Sequence, residues 1–217
     1  MKNIDNTAST KLGTRQRILM KSLMLFNEHG EPNTTTNEIA DELDISPGNL
    51  HYHFRRKSDL VDALIANFEC DVRSLVAKPA SESPNIEDFW FFLHMLFERT
   101  SAYRFLFRDT ETLVSSHPKA AKTVRKFVNK LAGIIAWYLD GLERAGSVDL
   151  HHSSKEAVSR NLLMVMLFSE RFDVVTGVDV SLADAATRTA EAALQALLPV
   201  LTGDARHTMG NLIRAYR

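Results

Sequence analysis

Apolar residues recur every three or four positions along almost the whole chain, the period of an α-helix with one buried face. The spacing predicts a first helix from Thr14 to His29, with Ile18, Leu19, Leu23 and Phe26 on one side and Gly30 placed to stop it. Arg15, Arg17 and Lys21 lie elsewhere on that helix, either as a solvated face or as contacts to phosphate. Two short helices follow between Thr34 and Lys57. In the first, Ile39, Ala40 and Leu43 keep helical spacing, and Thr35 or Thr36 can cap it by accepting a bond from an otherwise free backbone N–H. Ile45 plugs the turn. Ser46 caps the second helix, and Pro47 takes its first position, where a missing N–H does no harm. Leu50 and Phe54, four apart, bury one stripe and leave His51, Tyr52 and His53 exposed. This is helix-turn-helix geometry, backed by the first helix.

The stretch SDLVDALIANFECDVRSLVA, residues 58–77, reads as a fourth helix with Leu60, Leu64 and Phe68 spaced by four and Val61 and Ile65 beside them. AKPASESPN, residues 77–85, is the clearest boundary. Beyond it, IEDFWFFLHMLFERT is apolar almost all round, as a helix buried inside a bundle would be. A short helix is expected from Ser101 to Ser115, then a long one opened by Pro118, running to Arg144 and ended by Gly146. Ser153 or Ser154 caps the next, which contains LLMVMLF and is broken by TGVD at 176–179. Ser181 begins another, with Ala185, Ala186, Ala190, Ala193, Leu194, Leu197 and Leu198 apolar, and Asp204 to Tyr216 form a last short helix. No strand pattern competes. The expected fold is all-α, with an arm and helix-turn-helix head over residues 1–57 and a connecting helix and helical bundle over 58–217.

Composition narrows the class. The 217 residues are 45% hydrophobic and 24% charged, as in an ordinary globular chain, and long enough for one large or two small cores. The formal net charge is -1, so any nucleic-acid affinity has to come from a local patch. Such a patch exists: from Ile45 to Lys57 there is no acidic residue, and Arg55, Arg56 and Lys57 close the stretch. A single cysteine, Cys70, excludes an internal disulfide and fits a reducing cytoplasm. No apolar run approaches the roughly 20 residues of a membrane span. The N-terminus has no apolar core of the kind a secretory signal needs and reads as a polar arm.

Catalytic and metal chemistry find no foothold. His51 and His53 are two apart on a helix, which points their rings away from each other, and His151 and His152 have no cysteine or carboxylate at ligand spacing. No H-E-x-x-H, G-x-S-x-G, phosphate-binding glycine loop or dinucleotide fingerprint occurs. Glu69 and Asp71 flank Cys70 and disfavour a thiolate there. Neither a cofactor nor a metal is expected, and enzyme activity is not.

The segment TRQRILMKSLMLFNEHG followed by TTTNEIADELDISPGNLHYHFRRKSDLVDAL resembles the N-terminal head of TetR-type transcriptional regulators over residues 14–64. Three positions depart from the usual pattern. Asp44 stands at a turn glycine and tolerates a left-handed backbone. Arg56 stands where an Asn commonly precedes the Lys, and His51 where a Tyr is frequent. The resemblance implies a homodimer that places two recognition helices in successive major grooves of a palindromic, double-stranded operator. It puts Thr36, Asn37, Asn49 and His51 near bases, and Thr35, Ser46, Gly48, Tyr52, His53 and Lys57 on phosphates, with Pro47 between them; for His53 the alternative is packing at the helix end. Hydroxyls and a Lys fix register on phosphate, whereas Asn pairs bidentately with adenine.

The resemblance further implies a small-molecule effector in the C-terminal bundle. Trp90, His94, Tyr103, Phe107, Trp137, Met164 and Phe168 either line such a cavity or fill a core, since apolar walls with few polar groups suit small ligands. The effector would reorient the helix from Ser58 to Ala77 and change the separation of the two heads. The last two long helices, 154–175 and 181–201, are expected to form the dimer's four-helix bundle, their Ala-rich faces allowing close approach. The rival expectation is a ligand-independent DNA-binding or protein-interaction regulator with a solid C-terminal core.

Overall fold

The structure, a computed structural model, describes residues 13–77, 83–178 and 182–214, with side chains of the last stretch described from Thr187 onward. The polar arm, the middle of the 77–85 boundary, the cap at Ser181, the faces of Ala185 and Ala186 and the end of the tail at Tyr216 lie outside the described residues. The helices are α1 (Thr14–His29), α2 (Thr36–Asp41), α3 (Pro47–His53), α4 (Lys57–Asp71), α5 (Ile86–Ala102), α6 (Phe105–Arg108), α7 (Thr110–Ser116), α8 (Pro118–Arg144), α9 (Lys155–Val175), α10 (Leu182–Leu197) and α11 (Gly203–Arg214). Among the described residues β pairing is limited to one isolated antiparallel bridge, Val148 to Leu201. The fold is all-α.

The chain divides into two compact units. The first joins the described residues up to Cys70 with Tyr103–Thr123; the second joins Asp71–Ala102 with Val124 onward. The division falls inside α8 and one residue short of the end of α4. Compactness therefore groups α4, α6 and α7 with the head, where the sequence set a boundary at Lys57.

In the first unit, Ile18 and Phe26 of α1, Ile39 of α2, Leu50 of α3 and Leu60 and Phe68 of α4 are fully buried. Phe26 meets Phe105 with ring centres 5.5 Å apart, and Phe68 meets Tyr103 at 5.3 Å and Phe107 at 6.2 Å. Tyr103 and Phe107 thus belong to this core. α4 is shorter than its apolar spacing suggested. After Asp71 the chain turns through Val72–Ala77, a stretch where Val72, Ser74 and Val76 are weak helix formers. The single helix expected at 101–115 is instead the end of α5, then α6 and α7, with Asp109 breaking the last two at φ -101, ψ 38.

In the second unit, α8 buries Phe127, Leu131, Ile135, Tyr138 and Leu142 along one side. Phe89 and Phe92 of α5 both stack on Tyr138, each at 5.1 Å. Burial, with Asp88 adding to it, raises the Tyr138 hydroxyl above its ordinary value. Ser154 caps α9 by accepting from the Ala157 N–H at 3.1 Å. α9 packs chiefly on α10, tied by Ser169 to Thr189 at 2.8 Å and Arg188 to Asp173 at 3.1 Å. Among the described residues no helix is long and apolar enough to cross a membrane.

Candidate nucleic-acid interface

α2 begins with a complete capping box. Thr35 Oγ1 accepts from the Glu38 N–H at 3.2 Å, and Glu38 Oε2 accepts from the Thr35 N–H at 2.6 Å. The Thr35 backbone N–H first, and the Thr35 hydroxyl second, hold the Glu38 carboxyl below its usual range. Of the two candidates Thr35, not Thr36, is the cap; Thr34 is buried, and its hydroxyl donates to the Gly30 carbonyl at 2.9 Å. The turn closes with N–H groups of Leu43 and Ile45 on the Ala40 carbonyl and of Asp44 on that of Asp41. Asp44 has φ 53, the left-handed backbone its position in the turn demands. The departure from glycine leaves the turn intact.

Ser46 then accepts from the Asn49 N–H at 3.2 Å, Pro47 occupies the first turn, and α3 pins Leu50 and Phe54 inside while its other side faces out. Ser46, Pro47, Gly48, Asn49, His51 and Tyr52 are all exposed, Tyr52 at 84%. A side chain added at Gly48 would meet only Ser46 Oγ, at 3.9 Å. Nothing inside the chain requires glycine there. On α2, Asn37 is exposed and Thr36 half-buried. His53 is half-buried, edge-on to Tyr52 at 5.2 Å, at the helix end.

Of the eleven sequence-derived contact residues, Thr35, Asn37, Ser46, Pro47, Gly48, Asn49, His51 and Tyr52 are exposed and Thr36, His53 and Lys57 half-buried, and Lys57 differs in having its charge engaged within the chain. Its ammonium lies 3.1 Å from Glu31 Oε1, bonds the Glu31 carbonyl, and sits 5.9 Å from the Phe26 ring centre. The reason is Glu31, a buried carboxylate that no spacing rule connects with position 57. Of the flanking cations, Arg55 and Arg56 are exposed, and Arg56 Nη2 pairs with Asp59 at 3.5 Å.

The expected effector pocket does not assemble as a set. Trp90 and His94, stacked at 5.5 Å, line a cavity of about 10 Å³ with Leu93, Phe97, Met166, Ala190, Ala193 and Leu194. That volume is about what one water needs. Trp137 is half-buried against the edge of Tyr138 at 5.0 Å and is not in this wall. Tyr103 and Phe107 lie in the first unit's core. Met164 and Phe168 are 57% and 39% exposed on the outer side of α9. LLMVMLF is apolar all round, so periodicity could not say which residues point in; Met166 does. The missed lining residues do carry a signal: 90, 93, 94 and 97 on α5 and 190, 193 and 194 on α10 follow the three-and-four spacing of single helix faces. Among the described residues no cluster of His, Cys, Asp or Glu could hold a metal ion.

A family model described as "Bacterial transcriptional repressor" matches residues 67–209, and one described as "Bacterial regulatory proteins, tetR family" matches residues 18–64. Among curated relatives, the probable HTH-type transcriptional regulator YttP of Bacillus subtilis is 33% identical over 58 residues, 27% of this chain and 28% of that protein. The HTH-type transcriptional repressor KstR2 of Rhodococcus jostii is 34% identical over 83 residues, 36% of this chain and 41% of that protein. The chain therefore matches less than half the length of these two relatives. Among solved structures, a TetR-family transcriptional regulator from Marinobacter aquaeolei superposes with a TM-score of 0.80 at 33% identity, covering 95% of this chain and 100% of that one. A SmeT–triclosan complex superposes with a TM-score of 0.53 at 16% identity, covering 88% and 93%, a likeness of fold alone.

Proposed function

The chain belongs to the TetR family of bacterial transcriptional regulators, not to a family of enzymes, and from that premise we propose a cytoplasmic homodimeric repressor of a palindromic operator, released by a small-molecule effector. The observation that carries the reading is α3. Its two inward residues, Leu50 and Phe54, are buried in the head, and Gly48, Asn49, His51 and Tyr52 stand clear on an acid-free stretch. In this reading α3 enters the major groove. Asn49 and His51 from α3, with Thr36 and Asn37 from α2, read base edges, while the hydroxyls of Thr35, Ser46 and Tyr52 and the ring of His53 hold phosphates.

The outer side of α9 supports the dimer. Met164, Phe168, Phe172 and Val175, spaced by four, four and three, form one stripe, with Phe172 69% and Val175 84% exposed. Contiguous exposed apolar residues on a helix mark an interface, and two copies of α9 and α10 would cover them. On α10, Ala190 and Ala193 are buried within their own unit, so Ala192 and Ala196 are the small outward residues that let two copies approach.

For release, the helix that would carry the signal is α4, which ends at Asp71 rather than Ala77. α8, continuous from Pro118 to Arg144, offers a second path. The effector would displace one or both and spoil the match to the half-site spacing. That a neighbour of the same fold binds triclosan fits a ligand-holding bundle. The rival, a ligand-independent regulator, draws support from the 10 Å³ cavity beside Trp90, too small for anything larger than water. Gel-shift titration with the DNA flanking the protein's own coding region tests both readings. A two-fold symmetric footprint abolished by a small apolar ligand supports release. Binding indifferent to every ligand that the protein takes up selects the rival, and absence of any preferred sequence sinks the operator.

A further inference from the structure

Glu31, in the link between α1 and α2, is 6% exposed. A carboxylate so placed is costly unless it is paired, and the Lys57 ammonium and the His117 imidazole reach it. Lys57 Nζ lies 3.1 Å and His117 Nε2 3.3 Å from the same oxygen, Oε1. The Lys57 ammonium also donates to the Glu31 carbonyl, while the Glu31 N–H donates to Asp109 Oδ2 at 2.9 Å. Beside it, the Arg108 guanidinium donates to the carbonyls of Phe26, Asn27 and Glu28 at 3.2, 3.0 and 3.3 Å, capping the last turn of α1. Gly30 makes room for this. It has φ 93, and a side chain there would fall 2.8 Å from Arg108 Nη2.

Through its carboxylate, carbonyl and N–H, Glu31 therefore gathers the start of α4, the α7–α8 junction and the α6–α7 junction onto the link that precedes the helix-turn-helix. Resting on the DNA-binding reading above, the geometry assigns Lys57 as a positioning residue that holds the head on this tie, and not as a phosphate contact. Moving its ammonium to a phosphate would leave Glu31 buried with His117 as its remaining side-chain partner, the uncompensated charge that makes breaking a buried pair unfavourable. Glu31 keeps Lys57 out of the electrostatic footprint on DNA.

The test measures affinity of the full chain for a random-sequence duplex against salt concentration. Each phosphate contact contributes about 0.9 to the slope of log K against log salt. Lys57→Gln is expected to weaken binding with the wild-type slope, because no phosphate contact is lost. Glu31→Gln is expected to steepen the slope by about 0.9 per bound copy as Lys57 becomes free to reach phosphate, and Glu31→Gln/Lys57→Gln to restore it. A purely structural role for Glu31 would not steepen a salt slope. The assignment is overturned if Lys57→Gln makes the slope shallower by about 0.9 per copy, or if Glu31→Gln leaves it unchanged. Should Lys57→Gln fail to fold by circular dichroism, the Glu31→Gln slope decides alone. A wild-type chain that binds no duplex sinks the DNA-binding reading and this assignment together, whereas wild-type binding with the wrong slopes sinks this assignment only.

Discussion

Replacing Phe172 by Ser should dissociate the dimer without unfolding the chain. The side chain is 69% exposed, so it does little inside its own unit. Fully burying a Phe side chain stabilises by about 1.5–3 kcal/mol; the exposed fraction, once covered by a partner, contributes about 1–2 kcal/mol. A two-fold interface uses the same residue twice, so the loss is about 2–4 kcal/mol per dimer. At about 1.4 kcal/mol per decade, the dimer dissociation constant rises about 30- to 700-fold. Sedimentation velocity over a concentration series reads this directly, with far-ultraviolet circular dichroism confirming unchanged helicity. The reasoning is refuted if the wild type is a monomer throughout the series. It is equally refuted if the folded Phe172→Ser variant dissociates no more readily than the wild type.

Leu50→Ala removes a side chain with no exposed surface from the centre of the head. It should cost about 2–5 kcal/mol, read from urea unfolding, and abolish DNA binding at temperatures where the rest of the chain stays helical. Ser46→Ala deletes the acceptor for the Asn49 N–H and should lower stability by about 1 kcal/mol while weakening DNA binding. Glu38 has a depressed folded pKa, held down by its bonds with Thr35, so its stabilising contribution is present above the unfolded value of 4.5 and is lost as pH falls through the folded value. Thermal melts of wild type and Glu38→Gln should therefore converge on acidification below about that value, and a gap that persists in acid would contradict the capping box as its source.

The parts of the structure that local chemistry decides were legible from the residues. α8 begins at Pro118, α1 and α8 end at or just before Gly30 and Gly146, and the α2–α3 pair follows from its hydroxyl caps and from Asp44 in the turn. What was hidden depended on distant partners or on direction. Lys57 looked like a surface cation because Glu31 is 26 positions away, and His117, further still, is placed by α8. Met164 and Phe168 looked like cavity walls because a helix apolar on all sides carries no directional signal; only packing against α10 turns Met166 inward and them outward. The end of α4 was missed because Val72 and Leu75 continue the apolar rhythm past Asp71, while the weak helix formers among them stop the helix.

These corrections change how the protein must hold DNA. The chain carries a net charge of -1 and, with Lys57 held by Glu31, the cations left on the helix-turn-helix stretch are Arg55 and Arg56, the latter shared with Asp59. Beyond Arg15 and Arg17 of α1, one head therefore has few counterions to release, and a single copy should bind weakly and with a shallow salt dependence. In the proposed dimer, affinity comes from engaging two heads at once, and the proposed interface on α9, far in sequence from α3, is then as necessary to DNA binding as the contacts proposed for Asn49 and His51. The Phe172→Ser chain decides the matter. Held below its dimer dissociation constant but still folded, it should bind a random-sequence duplex with about half the wild-type salt slope. If it keeps the full slope, the phosphate contacts belong to one copy, and the need for a dimer does not arise from electrostatics.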